Sequence, residues 1–142
     1  MKIGIDIDNV ISNFNDTLLK EYLLHDKTLR NSGVINKNAD YIRNGMFDWT
    51  ENEELTFYKK NIERIAQNLG VIEGAKEYID KLHKDGHFIY IITGRDNGEY
   101  TDPYNMTKEW LADKKIPYDK LVFTNSYKND KNESVFCYGS PC

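Results

Sequence analysis

The chain has 142 residues, with 19 Lys plus Arg against 23 Asp plus Glu and a formal net charge of −4. That length fits one domain, or a core with one modest insertion, and the mild acidity argues against a polymeric nucleic-acid partner, which calls for a basic stripe. No apolar run approaches a membrane span, the first residues do not read as a signal peptide, and Cys137 and Cys142 make neither a disulfide framework nor a zinc pattern; the expected location is cytoplasmic.

Residues 2–7 alternate Ile with Lys, Gly and Asp and read as a short strand. Leu18 and Tyr22 follow Phe14 at steps of four, predicting a helix from Asp16 to near Arg30, with Asn13 or Asn15 as its cap. The polar stretch 31–40 is a loop, and Thr50 followed by Glu53 has capping-box spacing. The helix it opens carries Leu55, Tyr58, Ile62, Ile65 and Leu69 at steps of three and four, with Gly70 as the expected C-terminal cap. A further helix spans Gly74 to Lys84 and stops at Asp85-Gly86. The continuous apolar run that follows, ending in Thr93-Gly94-Arg95, is of the kind buried on both faces in a parallel sheet. A helix through Trp110 and Leu111, a strand in KLVF and a last strand near SVF complete the chain. Alternating helices and strands imply an α/β fold with a parallel sheet. The mostly helical residues 15–69 are too many for one crossover and read as an inserted cap; residues 1–14 and 70–142 form the core.

Asp6 and Asp8 interrupt the first strand at its carboxyl end, where ligands bind in open parallel sheets. Residues i and i+2 share a strand face, so the two carboxylates start on one side, repel each other and invite a divalent cation; an all-oxygen donor set favours Mg²⁺. Two solvated aspartates at a strand end would leave the same trace in the sequence. Asn105-Met106-Thr107 and Asn132-Glu133-Ser134 match the N-glycosylation triplet and, with no export signal, read as chance.

These segments resemble a known family. DIDNV, Asp6–Val10, is similar to the D-x-D-x-[T/V] signature of the haloacid dehalogenase-like (HAD) phosphohydrolases, and DIDNVISNF resembles the 5'(3')-deoxyribonucleotidase branch. IYIITGR resembles the second motif of that superfamily, and GAKEYIDKLHKDGH before it and TKEWLADKKIPYDKLVF after it are similar to the same nucleotidases. The resemblance implies a Rossmann-like core and a Mg²⁺-dependent phosphomonoester hydrolase for deoxynucleoside 5'-monophosphates. It makes Asp6 the nucleophile and Asp8 the general acid and base. Mg²⁺ would bind the Asp6 carboxylate and the Asp8 backbone carbonyl, and Thr93 and the Gly94 amide would bind the phosphoryl oxygens. Arg95 either faces solvent or touches the phosphate. Lys131, or alternatively Lys128, would balance the charge on nucleophile and phosphate. Phe14 and Trp49, with Phe47, stand where aromatic residues of the family stack on a nucleobase, although an aromatic beside a helix start also serves as a core staple. The expected partner is a small phosphorylated molecule; a homodimer is compatible with the family.

The sequence departs from the family at the fourth motif, an acidic pair beyond the lysine. No Asp or Glu follows Glu133, and nothing in the spacing of Asp96, Asp102 or Asp130 recommends them as substitutes. The chain therefore reads as a truncated or frame-shifted relative, or a natural fragment, with weak or no turnover expected unless another ligand compensates. Three alternatives stand beside the nucleotidase reading: a HAD phosphatase for another small phosphate ester, a receiver-type signalling module, and a non-catalytic binding protein on the same fold. The receiver is disfavoured by the helical insertion and by the x in Asp6-x-Asp8.

Overall fold

The computed structural model describes residues 1–95 and 99–124 and the backbone of 136–138. Its strands are β1 (Lys2–Asp6), β2 (Phe88–Thr93), β3 (Lys120–Phe123) and β4 (Phe136–Tyr138); its helices are α1 (Phe14–Asp26), α2 (Glu51–Gln67), α3 (Ala75–Lys84) and α4 (Pro103–Asp113). The strands pair in the order β3-β2-β1-β4, all parallel, so the α/β class expected from the alternating pattern holds. None of the described helices is long and apolar enough to cross a membrane. The chain divides into two compact units, Met1–Asn13 with Leu69–Cys142, and Phe14–Asn68.

In the sheet-bearing unit, β2 is buried from Ile89 to Thr93, as a strand flanked by two others and covered on both faces must be. Ile3, Ile5, Ile89 and Ile91 form the middle of the core, and Ile79, Trp110 and Leu111 contribute from α3 and α4. The α3 helix ends where the chain turns through Gly86 at φ +86°, a left-handed conformation that glycine adopts without a Cβ clash. Asp119 fixes the start of β2 twice: its Oδ2 accepts the Ile89 N–H at 2.8 Å, and its own N–H donates to the Ile89 carbonyl at 2.9 Å. On α4, the Trp110 indole N–H donates to the Leu69 carbonyl at 2.9 Å, giving a buried acceptor its donor.

In the helical unit, the capping box at Thr50 and Glu53 is formed as its spacing predicts. The Tyr22 ring stacks on Trp49, with centroids 4.3 Å apart and planes within 4°. Phe57 meets Tyr22 edge-on at 4.9 Å. Burial pushes the Tyr22 hydroxyl well above the usual phenol range. The buried Asp26 carboxylate is satisfied by two donors, the Trp49 indole N–H at 2.8 Å and the Gly33 amide at 2.7 Å.

Trp110→Phe keeps the buried ring but leaves the Leu69 carbonyl without its donor. The expected cost is about 1–2 kcal/mol, read as a lower urea midpoint at unchanged m-value.

Candidate functional site at the carboxyl edge of the sheet

Asp6 closes β1 and pairs in register with Ile92 of β2, so Thr93 lies one residue further along the neighbouring strand toward the same edge. Beyond Asp6 the chain wraps around one carbonyl. The oxygen of Ile7 accepts the N–H groups of Val10, Ile11 and Ser12 at 3.2, 2.8 and 2.9 Å. Asn9 takes φ +66°, a left-handed conformation that asparagine tolerates better than most side chains, and its N–H donates to the Ser12 carbonyl at 3.0 Å. Asp8 stands in this closed turn two residues after Asp6, whose own Oδ1 accepts the Ile7 N–H at 2.8 Å.

The turn is anchored at its far end. Ile72 N–H donates to the Ile11 carbonyl at 2.8 Å, and Gly70 N–H donates to Asn13 Oδ1 at 2.9 Å. A Cβ on residue 70 would stand 3.0 Å from the Asn13 side-chain nitrogen. Gly70 therefore serves a close approach of two chain segments. The expectation that it caps the preceding helix is corrected: the cap is Asn68.

Asp8 is bound by Arg95. Nη2 donates to Asp8 Oδ1 at 2.9 Å and Nε reaches Oδ2 at 3.4 Å, while the Ser12 hydroxyl donates to Oδ1 at 3.1 Å. Oδ1 thus carries two bonds and Oδ2 one long contact, which makes Oδ2 the oxygen more open to a ligand. The Asp8 side chain is 28% exposed. Arg95 is 4% exposed, which corrects the expectation that it could face solvent. Its third contact is on α4, where Nη1 donates to the Thr107 hydroxyl oxygen at 3.1 Å. The Tyr100 ring centroid lies 6.0 Å from the guanidinium carbon.

Thr93 is 1% exposed, and its hydroxyl oxygen accepts the Arg95 N–H at 3.3 Å, which leaves its own proton to donate. Gly94, next in the chain, is exposed. Among the described residues, the nearest atom on its side-chain face is Thr124 Oγ1, 3.8 Å from where a Cβ would stand.

Phe14 is the first, half-buried residue of α1 in the helical unit. Trp49 is 7% exposed in that unit, with its ring stacked on Tyr22 and its N–H held by Asp26; a nucleobase cannot take that ring face while the Tyr22 stack stands. Lys128 and Lys131 fall outside the described residues. Two polar residues at the site were not singled out as functional: Ser12 and Thr107. Thr107 occurs in a glycosylation-like triplet, yet it is fully buried, and its spacing to Trp110 and Leu111, three and four residues on, is the signal that places it on the inner face of α4.

Among the described residues no three His, Cys, Asp or Glu side chains cluster as a metal cage. Mg²⁺ does not require one. It commonly takes one or two protein carboxylates and completes its shell with water and substrate phosphate. The Asp6 carboxylate and the Asp8 backbone carbonyl, hard oxygens two residues apart at the sheet edge, suit such a site.

No family model matches the chain, and no curated protein matches it in sequence. Among solved structures, the chain is similar to a crystal structure of a hydrolase from Streptococcus pneumoniae TIGR4, with a TM-score of 0.58 and 15% identity over 89% of this chain and 69% of that one. At that identity the likeness establishes a shared fold, that of a known hydrolase.

Asp8→Asn leaves a buried guanidinium without its anion, so it is expected to destabilise the protein by about 3 kcal/mol. Asp6→Asn removes no partner from Arg95 and is expected to cost less. Paired urea titrations of the two variants check the difference.

Proposed function

We propose that the chain is a Mg²⁺-dependent phosphomonoester hydrolase of the HAD type, acting through an aspartyl-phosphate on Asp6. One observation carries the reading: Asp6 and Thr93 end adjacent parallel strands at one edge, with Asp8 tied by Arg95 to the segment directly after Thr93. A phosphoryl site needs a nucleophile, an acid for the leaving oxygen and donors for the non-bridging oxygens. These residue types meet each need.

In the proposed reaction an Asp6 carboxylate oxygen attacks phosphorus, and the bond from phosphorus to the ester oxygen breaks. Asp8, a carboxylate while it faces Arg95 in the resting protein, takes up a proton on Oδ2 as the substrate binds and gives it to the departing oxygen. A water molecule then attacks the phosphorus of the acyl phosphate and loses a proton to Asp8, releasing inorganic phosphate and restoring Asp6. The Thr93 hydroxyl and the Gly94 amide are assigned to the phosphoryl oxygens, where one aimed donor is worth about 3 kcal/mol in the transition state. Mg²⁺, when bound, would neutralise charge on Asp6 and the phosphate; Asp6 and the Asp8 carbonyl would hold it. Lys131, or Lys128, is the proposed second source of positive charge.

The substrate class follows from the resemblance to deoxyribonucleotidases: deoxynucleoside 5'-monophosphates come first. Trp49 is engaged in its own unit, which weakens the case for base stacking on that ring and keeps other small phosphate esters as the second reading.

Phosphate release from a panel of nucleoside, sugar and glycerol monophosphates tests the proposal. The expected result is weak Mg²⁺-dependent hydrolysis, impaired by the missing acidic fourth motif, that excess chelator abolishes and that Asp6→Asn lowers to background. Hydrolysis of nothing in the panel, or an unimpaired Asp6→Asn variant, contradicts it.

A further inference from the structure

We infer that Thr107 is a positioning residue for Asp8, acting through the Arg95 guanidinium, and that this relay presents Asp8 Oδ2 to the leaving group. The inference rests on the phosphohydrolase reading and names machinery that reading does not contain.

The guanidinium is planar and its donors stand in a fixed fork. With Nη1 held by Thr107 at 3.1 Å, the plane cannot rotate without breaking that bond, so Nη2 and Nε point where Asp8 meets them. The residues are well placed to hold this arrangement. Thr107 is fully buried on α4, Arg95 is nearly so, and the Arg95 backbone N–H is itself fixed on Thr93 at 3.3 Å. The start of α4 is also held: the Asp102 side chain accepts the Asn105 N–H at 3.1 Å and the Asn105 side-chain amide at 2.7 Å, and Pro103 occupies the first turn. The result at Asp8 is asymmetric. The short Arg95 bond and the Ser12 bond both fall on Oδ1, and the 3.4 Å contact falls on Oδ2. The carboxyl group is thus fixed in orientation, with Oδ2 the less committed of its two oxygens.

Arg95 is thereby assigned first to Asp8: three of its five guanidinium N–H groups go to Asp8 and Thr107, and its backbone N–H goes to Thr93.

The test uses leaving-group dependence. An alkyl ester, such as a deoxynucleoside 5'-monophosphate, needs a proton on its departing oxygen, whereas p-nitrophenyl phosphate departs well without one. Thr107→Val keeps the shape and removes the acceptor; Thr107→Ser keeps the hydroxyl and controls for folding. With kcat/KM, which reports the step in which Asp8 acts as acid, Thr107→Val is expected to lose about tenfold on the alkyl ester and less than about threefold on the aryl ester. Thr107→Ser is expected to retain wild-type values on both. Equal loss on the two esters, no loss on either, or failure of Thr107→Ser to retain activity overturns the inference while leaving the hydrolase reading intact. A wild-type protein that cleaves neither ester overturns the hydrolase reading, and the inference falls with it.

Discussion

A guanidinium 4% exposed to solvent must have an anion, and Asp8 supplies it. Taking the guanidinium out of water costs several kcal/mol, while Asp8 stays 28% exposed, so the pair is poor as a source of stability and effective as a constraint. It permits one arrangement of the turn after β1 and one direction for the chain after β2. The closed turn around the Ile7 carbonyl, the left-handed Asn9 and the close approach of Gly70 to Asn13 are the backbone conditions under which Asp8 can reach Arg95. The sheet contributes the register: Asp6 opposite Ile92 puts the two strand ends at the same edge.

What the sequence revealed and what it concealed divide along local and tertiary lines. The strand of Phe88–Thr93 was legible because a run buried on both faces is continuously apolar. The start of α2 was legible because a capping box is a contract between residues three apart, Thr50 and Glu53. Gly70 was misread because a glycine after a helix has two explanations, a left-handed cap or a close approach, and only the neighbouring chain decides between them. Trp49 was ambiguous for a similar reason. An indole near a helix start can face a ligand or a core, and its stack on Tyr22 and bond to Asp26 depend on residues distant in sequence.

At the site itself, the type of each residue was legible and its orientation was not. Asp6, Asp8 and Thr93 stand out because two acids and a hydroxyl follow apolar strand runs at their carboxyl ends, although β1 ends at Asp6 and Asp8 stands in the turn beyond it. An arginine directly after such a strand can turn outward or inward. Here it turns inward because α4 offers the Thr107 hydroxyl and the first turn offers Asp8. Thr107 itself was hidden by a glycosylation-like triplet, although its helical spacing to Trp110 and Leu111 carried the information. The fold shared with a hydrolase of 15% identity shows that packing of this kind tolerates wide change in sequence.

The central claim is that Asp6 accepts a phosphoryl group at this edge. Beryllofluoride mimics the phosphoryl group of an acyl phosphate and needs no turnover, so its binding in the presence of Mg²⁺ tests the claim directly. Fluorine NMR of the wild-type protein is predicted to give a bound resonance that disappears in Asp6→Asn. No bound resonance in the wild type, or one that survives the substitution, would contradict the account.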